Sequence, residues 1–205
     1  VVAWVRPDSL PVAAPFLAAW LATPYVKNWT KQKPRLRTFL INEEEARTLR
    51  GYARRTWHFF ETFVNAENNW LAPDNYQEDP HPIVAHRTSP TNIGLQLLSA
   101  TSAYDFGYLG LHEYLESLER TFQSLSKLQK MHGHFFNWYD TRTLEPLRPQ
   151  YISTVDSGNL AGHLLALKQA LLEIIEQPRP NAKAYAGLCD TLTELSRELV
   201  QLGNR

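Results

Sequence analysis

The stretch Glu67–Asn92 reads ENNWLAPDNYQEDPHPIVAHRTSPTN, and His132–Asn159 reads HGHFFNWYDTRTLEPLRPQYISTVDSGN. Neither shows a period of 3.6 or of 2, whereas almost every segment around them has the apolar spacing of an amphipathic helix. Irregular connections longer than about a dozen residues are uncommon between the helices of a compact domain, and those that occur are usually functional or disordered. These two, over Asn65–Pro90 and His132–Ser157, lack the composition of disorder. Trp70, Tyr76, Phe135, Phe136, Trp138 and Tyr139 stand among Asn, Asp, Arg and His. Such a mixture can stack on a ring and hydrogen-bond its hydroxyls.

Working outward, the helix signals are strong. Asn42 with Glu45 at the third helical position has the form of a capping box, and Ala46, Leu49, Ala53, Trp57, Phe60 and Val64 then recur every three or four residues. This predicts a helix over about 43–65 that buries that stripe. Ser89 followed by Pro90 is an N-cap and first-turn pair, opening a helix through Ile93, Leu97, Ala100 and Tyr104 that stops at Gly107. A third helix carries Leu111, Leu115, Leu118, Phe122, Leu125 and Leu128. A fourth carries Leu160, Leu164, Leu167, Leu171 and Ile175, and a fifth carries Tyr185, Leu188, Leu192, Leu195, Leu199 and Leu202, closed by Gly203. No stretch alternates long enough to read as a strand.

The connections decide the architecture. Long loops follow the first and third of these helices, while short ones fall near Phe106–Gly110 and Gln177–Asn181. Antiparallel helices joined in this order place both long loops at one end. Rich loops on one rim and tight turns on the other are what an α/α toroid requires of its helical hairpins; a plain helical bundle with two ornamented loops is the simpler alternative. The expected fold class is therefore all-α, a partial (α/α)6-type toroid with two long loops on one rim. Trp70 or Trp138 should then come within reach of Asp140.

Charge narrows the partners. The net charge is zero, but residues 1–55 hold ten Lys and Arg against four Asp and Glu, and residues 56–205 hold eleven against seventeen. A net-acidic body does not suit a protein whose main partner is nucleic acid, because such binding leans on clustered cations. The single Cys189 excludes an intrachain disulfide and a Cys-based zinc site. No His, Asp and Glu spacing reads as a metal site, His81 and His86 lying in a Pro-rich loop, and no Gly-rich turn follows a strand to cradle a nucleotide. No cofactor is expected.

Residues 1–40 form a segment of their own. Leu10–Val26 is apolar apart from Thr23, is interrupted by Pro11, Pro15 and Pro24, and is followed by Lys27, Lys31, Lys33, Arg35 and Arg37. Spanning a bilayer takes about 20 apolar residues. Two readings stand: a helix packed on the domain or lying in an interface, and the tail of a membrane-spanning segment whose basic flank marks the cytoplasmic side.

The series WHFFETFVNAENNWLAPDNYQEDPHPIVAHRTSPTNIGLQLLSATSAYDFGYLG, then GHFFNWYDTRTLEPLRPQYISTVDSGNLAGHLLAL, resembles the central glycoamylase-like region of bacterial cyclic β-1,2-glucan synthases over about Arg54–Leu167. In that family an inner-membrane protein joins a glycosyltransferase that elongates β-1,2-glucan from UDP-glucose, this (α/α)6-type domain, which cyclises the chain by transglycosylation, and a phosphorylase-like region that adjusts length. The resemblance implies that residues 41–205 are the N-terminal part of the middle domain and that residues 1–40 end the preceding juxtamembrane region. It also implies a β-1,2-glucan chain and the remaining domains of the synthase as partners, at the cytoplasmic side of the bacterial inner membrane.

A six-hairpin toroid needs twelve helices, and five are read here after residue 41. The resemblance thus implies one wall of a sugar groove, inactive alone; a non-catalytic helical module that docks glucan or a neighbouring domain is the alternative. Retaining glycoside transfer needs two carboxyls about 5–5.5 Å apart, and no motif in these residues supplies that pair. The weak catalytic candidates are Glu78, Asp140 and Asp156, the carboxylates within the matching motifs. Candidate substrate-binding residues are Trp70, Asn75, Arg87, His134, Asn137, Trp138 and Asp140. Each has a plainer role. Asp74 and Asp156 equally suit turns or helix caps, Arg87 suits a tie between the loops through Asp140 or Glu78, His134 suits a structural hydrogen bond, and the two Trp suit a core.

Overall fold

A computed structural model describes residues 10–30, 41–176 and 182–203. It divides into two compact units, Val1–Ile41 and Asn42–Arg205. In the first, α1 runs Leu10–Thr30 with Pro15 and Pro24 inside it. Val12, Phe16, Trp20, Leu21, Tyr25 and Trp29 are all exposed, so apolar groups lie on every side of this helix. No helix among the described residues is long and apolar enough to cross a membrane. The membrane-spanning reading of this segment thus finds no support in α1, whose prolines and polar residues interrupt the apolar run. The basic residues Lys31–Arg37 lie outside the described residues.

The second unit is built of helices. α2 (Glu43–Phe63) begins with both halves of the capping box: Glu45 N–H donates to Asn42 Oδ1 and Asn42 N–H to Glu45 Oε2, each at 2.9 Å. Those bonds satisfy donors that the first helical turn leaves orphaned. α3 (Pro90–Phe106) starts where Ser89 Oγ accepts from Asn92 N–H at 3.2 Å and ends at Gly107, whose φ of 82° is left-handed. α4 is Leu111–Lys127, α5 is Thr154–Glu176 and α6 is Ala182–Gly203. α5 starts earlier than its leucine spacing implies, because Ser153 Oγ accepts from Asp156 N–H at 3.1 Å and opens the helix there. The turn expected around Gln177–Asn181 lies outside the described residues.

α3 is the central helix. Ile93, Leu97, Ala100 and Ala103 are buried along it, and it packs on α5 most extensively, then on α4, α2 and α6. Gly94 permits the approach of α5, since a Cβ there would stand 2.1 Å from His163 Nδ1. Each fully buried large aliphatic side chain contributes about 1.5–3 kcal/mol, and Leu71, Ile93, Leu97, Tyr114, Tyr139 and Leu167 form one cluster with Trp57 and Phe136.

α6 leaves its leucine stripe exposed, as an incomplete toroid implies: 73% at Tyr185 and still 50% at Leu195. The helix docks instead through the opposite face. Gly187 meets the α3–α4 turn so closely that a Cβ would lie 2.2 Å from Gly107 O. Arg50 of α2 pairs with Asp190 at 2.7 Å, and Arg54 Nε donates to Thr191 Oγ1 at 3.0 Å. Leu49, expected inside, is also exposed, and Gly51 is the buried residue at that level.

Among the described residues there are also six two-residue strands, too short to leave a period in the sequence: β1 (Tyr76–Gln77), β2 (Ile83–Val84), β3 (Arg87–Thr88), β4 (Lys130–Met131), β5 (His134–Phe135) and β6 (Tyr139–Asp140). They form three antiparallel pairs, β1 with β2, β4 with β5, and β3 with β6. The last pair joins the two long loops. The C-terminus of α2, the N-terminus of α3, the C-terminus of α4 and the N-terminus of α5 therefore share one end, the rim, with the α3–α4 turn at the other.

Candidate functional site

The rim is held from beneath by one asparagine. Asn68 is 1% exposed; its Nδ2 donates to Phe63 O at 3.0 Å, and its Oδ1 accepts from Thr141 Oγ1 at 2.7 Å and lies 2.8 Å from His86 Nδ1. Its neighbour Asn69 donates from Nδ2 to Thr141 O and Arg142 O at 2.9 and 2.8 Å. Thr141 N–H donates to His86 O at 3.1 Å, extending the ladder in which Arg87 faces Asp140 and Thr88 faces Tyr139. The bonds of Asn68, Asn69 and the ladder satisfy the groups that cross between the loops, as burial demands, whereas Thr88 Oγ1 and Asn137 Oδ1 are buried without a partner among the described residues. Tyr139 anchors the second loop below the ladder, donating to Gln129 O and accepting from Phe136 N–H, both at 2.7 Å. Burial holds its phenol above the ordinary value, against the Phe136 N–H, which favours the ionised form.

Above this layer a polar group assembles around Asp74. Its Oδ2 accepts from Arg87 Nη2 at 2.9 Å, Arg87 Nε at 3.2 Å and Asn75 Nδ2 at 3.1 Å, and its Oδ1 from Asn92 Nδ2 at 3.1 Å. The Arg87 guanidinium lies over the Trp138 ring, 4.9 Å from its centroid. Arg87 therefore ties the two loops together through the face of Trp138 and the β3–β6 ladder, while its ion pair with Asp74 stays within the first loop. Asp140 and Glu78 do not serve as its ion-pair partners: Asp140 is taken by its own turn, and Glu78 is exposed in the β1–β2 hairpin. Trp138 and Asp140 have Arg87 as a common neighbour, on the ring in one case and across the ladder in the other.

The three candidate carboxylates sit in different surroundings. Asp140 Oδ1 accepts from Arg142 N–H at 2.8 Å and Thr143 N–H at 3.0 Å, bonds that fix a turn. Asp156, in the first turn of α5, accepts from Thr91 Oγ1 at 2.5 Å, and Thr91 Oγ1 accepts in turn from Asn159 Nδ2 at 3.1 Å. That chain links the starts of α3 and α5. Asn75 is exposed beside Asp74. His134 is exposed in β5, opposite Met131, and Asn137 is buried with its backbone N–H on Tyr151 O at 2.9 Å.

Trp70 lies elsewhere. Its carbonyl accepts from Gln96 Nε2 at 2.9 Å, and its ring carries the Arg120 guanidinium 4.0 Å from the centroid. It lines a cavity of about 240 Å³ between α2 and α4, floored by Gln96 and Ala100 of α3. The rim group of Arg87, Trp138 and Asp140 takes no part in that lining. Sequence reasoning singled out Arg87, Trp138 and Asp140 from their loops, but not Asn68, Thr141 or Asn92, and it read Asp74 as a turn residue. The signal for Asp74 was weak: an Asp followed thirteen positions later by an Arg, with only the folded loop to bring them together.

No family model matches the chain. Over 193 residues, 93% of its length, it is 45% identical to the cyclic beta-(1,2)-glucan synthase NdvB of Rhizobium meliloti, of which it spans 7%. Among solved structures it is similar to two glucoamylase-like proteins. One, from Bacteroides caccae, has a TM-score of 0.55 and 22% identity, with 72% of this chain and 36% of that one aligned. The other, from Bacteroides fragilis, has a TM-score of 0.50 and 21% identity, with 65% of this chain and 32% of that one aligned. These two bear on the fold alone, and they support the all-α hairpin architecture as part of an α/α toroid. The chain is a homologue of one segment of a cyclic β-1,2-glucan synthase, folded as part of a glucoamylase-like helical domain.

Proposed function

We propose that this chain forms one wall of the groove in which a cyclic β-1,2-glucan synthase holds linear β-1,2-glucan for cyclisation by transglycosylation. The observation that carries this is the rim. Two loops with aromatic, amide and carboxylate side chains are locked together by β3 and β6, and they present Arg87, Trp138 and the Asp74 group at the ends of α3 and α5. A sugar ring offers an apolar C–H face and a belt of hydroxyls, which such a surface matches with an aromatic platform and fixed donors and acceptors. Arg87, Trp138, Asn75 and Asp140 are the contacts we assign to glucan, with His134 at the hairpin tip and Asn137 supporting the loop from within.

The catalytic pair belongs to other parts of the synthase. Asp140 and Asp156 are engaged by a turn and by Thr91, so each serves positioning better than attack, and Glu78 stands apart in its hairpin. Partners in this reading are the glucan, the remaining domains of the synthase and, through the apolar surface of α1, the cytoplasmic face of the bacterial inner membrane. Nucleic acid is not among them. The exposed leucine stripe of α6 favours a second role, docking against a neighbouring domain.

Calorimetric titration of linear β-1,2-glucan into the chain tests the groove. Weak saturable binding that falls about tenfold in Trp138→Ala is expected; binding indifferent to Trp138→Ala and Arg87→Ala would contradict it. For α1, removal of residues 1–40 should abolish flotation with anionic vesicles and improve solubility, and unchanged flotation would exclude the membrane contact.

A further inference from the structure

We infer that the cavity between α2 and α4 is a second carbohydrate subsite, holding a single neutral sugar ring apart from the rim. This rests on the reading of the chain as a glucan-handling segment and adds a site to it.

The groove has two unlike walls. From α2, Trp57 and Phe60 present stacked rings, 5.9 Å between centroids and 20° apart. From α4, Glu113, Glu116 and Arg120 face them, with Glu61 and Val64 continuing the α2 side and Trp70 closing one end. The residues of α2 and its C-cap fall at 57, 60, 61 and 64 and those of α4 at 113, 116, 117 and 120, so each wall follows one helical face. An aromatic wall opposite oxygen acceptors calls for a ligand that is apolar on one face and a hydrogen-bond donor at its edges. A pyranose ring is such a ligand. The cavity, about 240 Å³, is smaller than the roughly 300–1,000 Å³ of sites for drug-sized ligands, which suits one ring.

The charges argue against a cation as the occupant. Glu116 is paired with Arg120 at 2.5 Å, and Glu61 with Arg54 at 2.9 Å. Two of the three carboxylates are thus already neutralised, and Arg120 also occupies the face of Trp70. A Lys or Arg side chain from a partner would gain little net attraction here. Hydroxyl donors need only lone pairs, which a paired carboxylate still offers. Glu113, in the first turn of α4 and exposed, is the acceptor left for an incoming hydroxyl.

The test uses saturation-transfer NMR on the full chain with methyl β-glucoside and the β-1,2-linked glucose disaccharide as probes. Transfer that weakens about three- to tenfold in Phe60→Leu and in Glu113→Ala, yet survives in Trp138→Ala, is expected. Transfer lost in Trp138→Ala alone would overturn the cavity site while leaving the rim reading intact. Absence of transfer to either probe would also overturn it, and the titration with long glucan then decides the rim separately. Glu113→Gln keeps an acceptor oxygen and should retain most sugar binding. A Lys-rich peptide that binds the wild type and is lost in Glu113→Gln, with no sugar transfer, would assign the groove to a cationic partner instead. Far-ultraviolet circular dichroism establishes that each variant is folded, and the exposed Glu113 carries the test should Phe60→Leu unfold.

Discussion

The two ends of the helical array are fastened by different means. At the rim, segments far apart in sequence are joined by short ladders and by Asn68, whose side chain reaches both loops and the end of α2. At the opposite end a tight turn is clasped by α6 through backbone contact at Gly107 and Gly187, with Arg50, Arg54, Tyr108 and Asp190 around it. Phe106 and Tyr108 stack 5.6 Å apart, and the guanidinium of Arg50 covers Phe106 and that of Arg54 covers Tyr108. Polar bonds between loops hold side chains at set positions for contact with a ligand, whereas a glycine contact and a charge cluster hold a helix whose apolar face is left outside. The rim is built for presentation and the base for attachment.

The contact at the base should be the easier of the two to break outright. Gly187→Val sets a branched side chain against the Gly107 carbonyl and should cost about 3 kcal/mol by overpacking, read as a lowered denaturation midpoint with α6 released to proteolysis. A variant as stable as the parent would show that α6 is not held by that approach. At the rim, Asn68→Ala leaves Thr141, His86 and Phe63 O short of a partner and should cost about 2 kcal/mol. The loss there should appear as faster amide exchange in both long loops at once. Exchange confined to the first loop would mean that the two are not coupled through this residue.

The smallest expected effect is one of pH. The Tyr108 phenol donates to Asp190 Oδ2 at 3.1 Å, and burial, with the Asp190 charge and hydrogen bond, pushes its pKa up from 10.0 to about 12. The folded state keeps the proton that the unfolded chain releases first. The associated stability is present in full below pH 10 and is lost as the pH climbs from there toward about 12. Alkaline denaturation of Tyr108→Phe should therefore be less steep in that window than that of the parent, with an equal slope contradicting the clasp.

Local chemistry made the helix ends readable. The capping box at Asn42 and Glu45, the Ser89–Pro90 start and the Gly107 stop each act within four residues of chain, and each lies where the sequence placed it. The order of long and short connections was equally legible and put both loops on one rim. The β3–β6 pairing was not, because a two-residue strand leaves no alternation and its register depends on a partner in the other loop. The outward direction of the α6 leucines follows from a helix count too small to close a toroid, but the docking face opposite them was not legible. A period of 3.6 shows that a helix has an apolar face, not what covers it, and here Gly187, Asp190 and Thr191 turn the other face inward. Among the site residues, Arg87 and Trp138 stood out by type, while their joint dependence on Asp74 became visible only in the fold.

The central claim is that this segment holds glucan without carrying the chemistry. It is tested most directly by incubating the purified chain with linear β-1,2-glucan and following transfer and cyclic products by mass spectrometry. The account predicts weak binding at the rim and no product above background, because Asp140 and Asp156 are committed to a turn and a helix start. Robust product formation, abolished by Glu78→Gln, Asp140→Asn or Asp156→Asn, would contradict it and place the catalytic pair within these residues.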